Sequence, residues 1–283
     1  MSIICNLYDQ WIATVREEIT KAGGAHSTLA DQDCAIMWQA WKRRTVRPGA
    51  RRILKAPGFR CPTHLQTGLT NLETAFSTGA TIWPWQSTLI DRPTCEDGLY
   101  NDYGVVHFHL GVGSETSGYI NRTNELLFAV IDSSSVHEIG IYVHGDWYEL
   151  DILDSIDTNW PSLLDRVTLR GLDVANCPRT REEVKALRKA KVVPIVRLNS
   201  GRIIAPPGGG IASDGTSIEA VRSADSWARV LRNGEKMIVA NIEDQIQQGA
   251  MQDGDYTVRF HATDDGIAGV IGKTHKWILW KKP

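Results

Sequence analysis

The chain lacks closely spaced cysteines, lacks an apolar run long enough to cross a bilayer, and has almost no basic residues between positions 61 and 165. Its 5 cysteines, Cys5, Cys34, Cys61, Cys95 and Cys177, are odd in number and scattered. That disfavours a disulfide framework and a Cys-based zinc site, and predicts free thiols in a reducing cytoplasm. No stretch approaches the roughly 20 apolar residues of a membrane-spanning helix, so no membrane partner is expected. The opening residues MSIICNLYDQW contain no basic region and no cleavage-like site, so no signal peptide is expected and the predicted location is cytoplasmic. Internal repeats and low-complexity tracts are also missing.

What is present fits a soluble mixed protein. At 283 residues, with 42% hydrophobic and 23% charged content, the chain can bury a large core. The net charge of −2 conceals an uneven distribution. Residues 1–60 carry 10 Lys/Arg against 5 Asp/Glu, residues 61–165 carry 2 against 15, and residues 166–283 carry 19 against 13. An acidic middle argues against a simple nucleic-acid reader and allows pairing with the basic flanks.

The expected fold class is α+β, with a helical N-terminal region over 1–95, an antiparallel meander over 96–165, and a mixed α+β C-terminal domain over 166–283. Apolar residues at helical spacing predict helices over Ile4–Ala22, Leu29–Lys42 and Thr63–Ser77, with Gly79 able to cap the last. Their aromatics are expected in the core. Between the second and third lies Lys42–Arg60, with 8 basic residues and no acidic one. Pro48-Gly49 and Pro57-Gly58 make it a looped arm. Lys42, Arg43, Arg44, Arg47, Arg51 and Arg52 are candidate phosphate-backbone contacts, against the plainer expectation of a solvated face or an internal partner for the acidic middle. Asp91–Asp102 reads as a polar connection. Further on, Trp147–Ile156 and Arg181–Lys191 read as helices, the latter with a Thr180/Glu183 capping box. A hairpin is expected around Asn199-Ser200-Gly201. A helix is expected over Ile218–Asn233, with a Thr216/Glu219 capping box and a stop at Gly234. Strands Tyr256–His261 and Lys276–Lys281, with a turn at Asp264-Asp265-Gly266, close the chain. The Gly-rich loop Pro206–Ser217 lacks the Lys-Ser/Thr ending of a phosphate-binding P-loop and reads as a surface loop.

The stretch Asn101–Trp147 holds 4 of the 8 histidines. Val105–Leu110 alternates, placing Val106, Phe108 and Leu110 on one side and His107 and His109 on the other. Leu126–Ile131 is continuously apolar, as in a strand covered on both faces. Glu138–His144 alternates again, with Ile139, Ile141 and Val143 expected on one face. In an up-down-up meander the end of the first strand, the start of the second and the end of the third lie together. His109, Arg122 and His144 should therefore converge, with His107 one step inward and His137 at the far end.

Three chemistries suit that constellation. Two histidines and an arginine can supply the base, the acid and the cation needed to cleave RNA through its 2′-hydroxyl without a metal or other cofactor. His107, His109 and His144 could instead ligate zinc or another divalent metal in a hydrolase, with Asp146 as a possible carboxylate. Gly104, His107, His109 and Glu115 invite comparison with the first cupin motif, but the Gly–His gap is shorter and the His–Glu gap longer than in that motif, and no second cupin motif follows. Third, the cluster could be a hydrogen-bonded strand end in a non-catalytic nucleic-acid or protein interaction module. The order HLG, spaced Arg122, ELLFAVID, HEIGIYVHG resembles RelE-like ribonuclease toxins over residues 105–147. That resemblance implies a curved antiparallel sheet, an RNA substrate, a possible protein inhibitor as partner, Arg122 on the phosphate, and His144 at the reactive strand end.

Overall fold

The computed structural model describes all residues except Met1, 95–96, Asp173, Ala175, Arg179, Lys191, 207–209, 213–214, 264–265, 273–274 and 282–283, together with the side chain of Thr263. The expected turn at Asp264-Asp265 and part of the Gly-rich loop lie outside the described residues.

In chain order the elements are β1 (Ser2–Cys5), α1 (Leu7–Lys21), α2 (Asp31–Arg44), β2 (Arg52–Lys55), α3 (Gln66–Thr78), α4 (Gly98–Tyr103), β3 (Val105–His109), β4 (Glu125–Ile131) and β5 (Ser135–Val143). Then follow α5 (Leu150–Asn159), β6 (Thr168–Leu169), α6 (Arg181–Lys189), β7 (Val196–Arg197), β8 (Ile203–Ile204), α7 (Ile218–Gln247), β9 (Asp255–Thr263), β10 (Gly266–Ile271) and β11 (His275–Lys281). The protein is of the mixed α+β class. It divides into two compact units, Met1–Gln39 with Val221–Pro283, and Ala40–Ala220. These do not follow the expected divisions after residues 95 and 165, because the two chain termini join in one unit.

In the terminal unit the sheet order is β1-β9-β10-β11, with β1 parallel to β9 and the other pairs antiparallel. Leu7, Trp11, Val15 and Ile19 of α1 pack with Ala224, Leu231 and Ile238 of α7 and Val258 and Ile267 of the sheet. Trp11 stacks on Trp227 at 5.3 Å between ring centroids, inside this core. Two expectations fail here. Ile4, read as the start of a helix, lies in β1, where its partner Thr257 is distant in sequence. Gly234 does not stop α7; a Cβ there would meet Leu279 Cδ1 at 2.6 Å, so its smallness serves close packing on β11.

In the central unit the sheet order is β2-β5-β4-β3. The β3–β4 and β4–β5 pairs are antiparallel, as in the expected meander, and β2 from the basic arm adds in parallel to β5. Both faces of this sheet are covered. Val105, Leu126, Phe128 and Ile139 pack against Leu99 and Tyr103 of α4 and Ile152 and Ile156 of α5. Val106, Phe108, Leu127 and Val136 pack against Leu69, Leu72 and Phe76 of α3. The unbroken apolar run of β4 thus feeds two cores, Leu126 and Phe128 one, Leu127 and Ala129 the other. A register shift lies opposite Phe128/Ala129: Phe128 pairs with Gly140 and Ala129 with Glu138, leaving Ile139 as the extra residue. This overturns the expected common face of Ile139 and Ile141, which join different cores. It also turns Glu138 toward Glu73 of α3, where it is 0% exposed. A third sheet, β6-β8-β7, is small and antiparallel.

Candidate functional site

The site begins with a helix that the sequence disguises as a loop. Asp97 accepts the Tyr100 N–H at 3.0 Å through Oδ1 and so caps α4. Gly104, left-handed at φ 74°, ends the helix and hands the chain to β3. Asp97 Oδ2 then lies 3.7 Å from Nδ1 of His107. One carboxylate fixes the first turn of α4 and sets a negative charge beside the imidazole.

His107 and His109 project from the same face of β3, with ring centroids 6.5 Å apart. Their surroundings differ. The His107 ring lies 4.6 Å from that of Trp147, and Trp147 stacks on Phe128 at 5.3 Å. Burial lowers the His107 pKa below the usual imidazole value, Asp97 partly offsets this, and His144 and Arg122 lower it further. His109 is 7% exposed, with Nδ1 held 3.1 Å from the Thr123 N–H. Burial, with Arg122 and His107 adding to it, lowers the His109 pKa to about 3. An imidazole so placed is neutral at physiological pH and cannot deliver a proton.

His144 is exposed just beyond β5, with its N–H donated to the Asn124 carbonyl at 2.7 Å. Its ring meets the other side of the contact chain, 5.1 Å from Trp147. The loop that carries both is tied down by Arg181, which pairs with Asp146 at 2.9 Å and Glu149 at 2.6 Å and donates to the Gly145 carbonyl. Arg122 donates through Nη2 to the Gln86 carbonyl at 2.7 Å and lies over Tyr119. Its Nη1 is buried without a hydrogen-bond partner among the described residues. His137 lies at the other end of the sheet beside Asp132, at 3.1 Å.

A cavity of about 470 Å³ opens here, within the range of small-molecule sites. His107, His144, Trp147, Asp97, Tyr100 and Arg188 line it, as does Arg44. Arg188 is ion-paired with Asp102 and packs over Tyr148. His107 and His144 therefore share a cleft, while His109 and Arg122 are not among its lining residues. Asp97, Tyr100, Trp147 and Arg188 did not stand out in the sequence. The single local signal was an aspartate three residues before Tyr100 with a glycine stop at 104, a short capped helix.

The basic arm is partly internal. Arg43 pairs with Glu219 at 2.6 Å, Arg44 is buried, and Arg51 donates to the carbonyls of Asp132, Arg47 and Gly49. Lys42, Arg47 and Arg52 are exposed, Lys42 lying over Trp41. Among the described residues no three His, Cys, Asp or Glu side chains are grouped as a metal-ligand set.

No family model, curated protein or solved structure matches the chain.

Proposed function

We propose that the cleft is the active site of a metal-independent ribonuclease, in which His107 and His144 move the protons. The observation that carries this reading is that the two imidazoles flank Trp147 in one cavity, with Asp97 beside His107. Burial keeps His107 neutral at pH 7, which suits a base. The carboxylate at Nδ1 favours a proton there and leaves Nε2 to accept one. A 2′-hydroxyl would give its proton to His107 as its oxygen bonds to phosphorus, and the departing 5′-oxygen would take a proton from His144 as the P–O5′ bond breaks. Trp147, Tyr100 and Tyr148 offer the aromatic surface on which unstacked bases rest. His109 and Arg122, first expected at the reacting phosphate, become positioning residues: Arg122 helps hold His107 neutral. The resemblance to RelE-like toxins supports the same reaction through the order of strands.

The test is a cleavage assay on unstructured RNA in EDTA. Expected products end in 2′,3′-cyclic phosphate, DNA is untouched, and the acid limb of the pH–rate profile falls below the ordinary imidazole value of about 6.5. Wild-type protein that cleaves no RNA, or a folded His107→Ala/His144→Ala double variant that cleaves as well as wild type, would remove the reading.

A further inference from the structure

Arg44 is a buried cation with no partner of opposite charge among the described residues. It is the last residue of α2 and 5% exposed. Nε donates to the Ala40 carbonyl at 3.3 Å and Nη2 to the Arg92 carbonyl at 3.0 Å. Carbonyls solvate a guanidinium but do not neutralise it, and among the described residues no carboxylate pairs with it. Its neighbours differ: Arg43 has Glu219 and Arg188 has Asp102. An unneutralised cation away from water is unfavourable unless something compensates. Arg44 borders the same cavity as His107 and His144.

Its position is fixed. Gln86, 3% exposed, donates from Nε2 to the Arg44 carbonyl at 3.0 Å, and its Oε1 accepts the Val46 N–H at 3.4 Å. Ser87 follows and also lines the cavity. Its hydroxyl oxygen accepts the Leu89 N–H at 3.2 Å, leaving the hydroxyl proton to donate elsewhere. Arg44 and Ser87 both border the cavity; a guanidinium only donates and a hydroxyl can donate one proton, so both can serve phosphate oxygens.

We propose that Arg44 and Ser87 form a phosphate subsite, and that the cleft takes a nucleoside monophosphate unit with its phosphate on Arg44 and its ring against Trp147 or Tyr148. The inference rests on the ribonuclease reading only for the nature of the ring. It moves one residue of the basic arm from a surface track into the pocket.

The test is calorimetric titration of wild-type protein in EDTA with a nucleoside, the same nucleoside as its 3′-monophosphate, and inorganic phosphate. The monophosphate should bind at least about tenfold tighter than the nucleoside, the scale of one or two charge-assisted hydrogen bonds. That advantage should shrink with rising salt, and inorganic phosphate should compete for it. Ser87→Ala should reduce the advantage and Arg44→Gln should abolish it. Because Arg44→Gln could impair folding, the wild-type comparison decides the matter. Equal affinity for nucleoside and monophosphate, or no binding of either, overturns the subsite. Phosphate preference without RNA cleavage leaves the subsite standing and removes the nuclease; cleavage without phosphate preference does the reverse.

Discussion

The two faces of the central sheet bury ionisable groups by the same physics and to different ends. On the α4/α5 face, burial strips charge from His107 and His109. On the α3 face it strips charge from Glu138, whose pKa rises to about 8, with Glu73 adding to the rise and Lys55, 3.9 Å away, opposing it. Both oxygens of Glu138 are buried without hydrogen-bond partners among the described residues. His107 lines the cavity, whereas Glu138 is 0% exposed and is not among the residues lining it. A perturbed group marks a site only where a ligand can reach it; at Glu138 the perturbation bears on stability.

The largest effect should separate the faces outright. His107→Ala and His144→Ala should each lower RNA cleavage by roughly 100- to 10,000-fold with unchanged circular dichroism, whereas Glu138→Gln should leave cleavage intact. If Glu138→Gln abolishes activity in a folded protein, the division between the faces is wrong.

Next in size is the pH dependence of stability. Glu138 has a folded pKa raised above its unfolded value. Its contribution is full below about pH 4.5 and is lost as pH rises to about 8. His109 is the converse. Its folded pKa is lowered, so its contribution is present above about 6.5 and is lost as pH falls toward about 3. Denaturant titrations should show Glu138→Gln gaining on the wild type between pH 5 and 8 by on the order of a few kcal/mol, and His109→Gln flattening the acid side. Parallel wild-type and Glu138→Gln curves across that range would place the Glu138 proton elsewhere.

A smaller change is expected at Trp147. Removing its ring should weaken nucleotide binding by about 1–3 kcal/mol, read by calorimetry, while Trp160→Ala, beside His137 on the same sheet, should not. Smallest of all is the exposed part of the arm: Lys42→Ala, Arg47→Ala and Arg52→Ala together should lower the salt dependence of RNA binding slightly and leave cleavage of short substrates unchanged. A strong loss of short-substrate cleavage in that triple variant would return the arm to the centre of the site.

The antiparallel pairing of β3, β4 and β5 was legible because it depends on local alternation and on one continuous apolar run. The parallel addition of β2 was not, since nothing in RILK announces a partner at Ser135–Glu138. Nor was the shift that frees Ile139 and buries Glu138; strict alternation sends both to the wrong side. Helix α4 was read as a connection because GLYNDY has little helix propensity and relies on Asp97 and Gly104 at its ends. In the candidate site, His107 and His144 came from pattern, whereas Arg44, Asp97 and Arg188 come from segments that only the tertiary fold assembles.

Asp97 makes one class of experiment ambiguous. Because one oxygen holds the Tyr100 N–H and the other faces His107, an alanine there would unwind and unbalance at once. Asparagine separates the two duties. It keeps an oxygen for the helix but carries no charge for the imidazole, so a variant that preserves Tyr100 while altering the titration of His107 would isolate the electrostatic share.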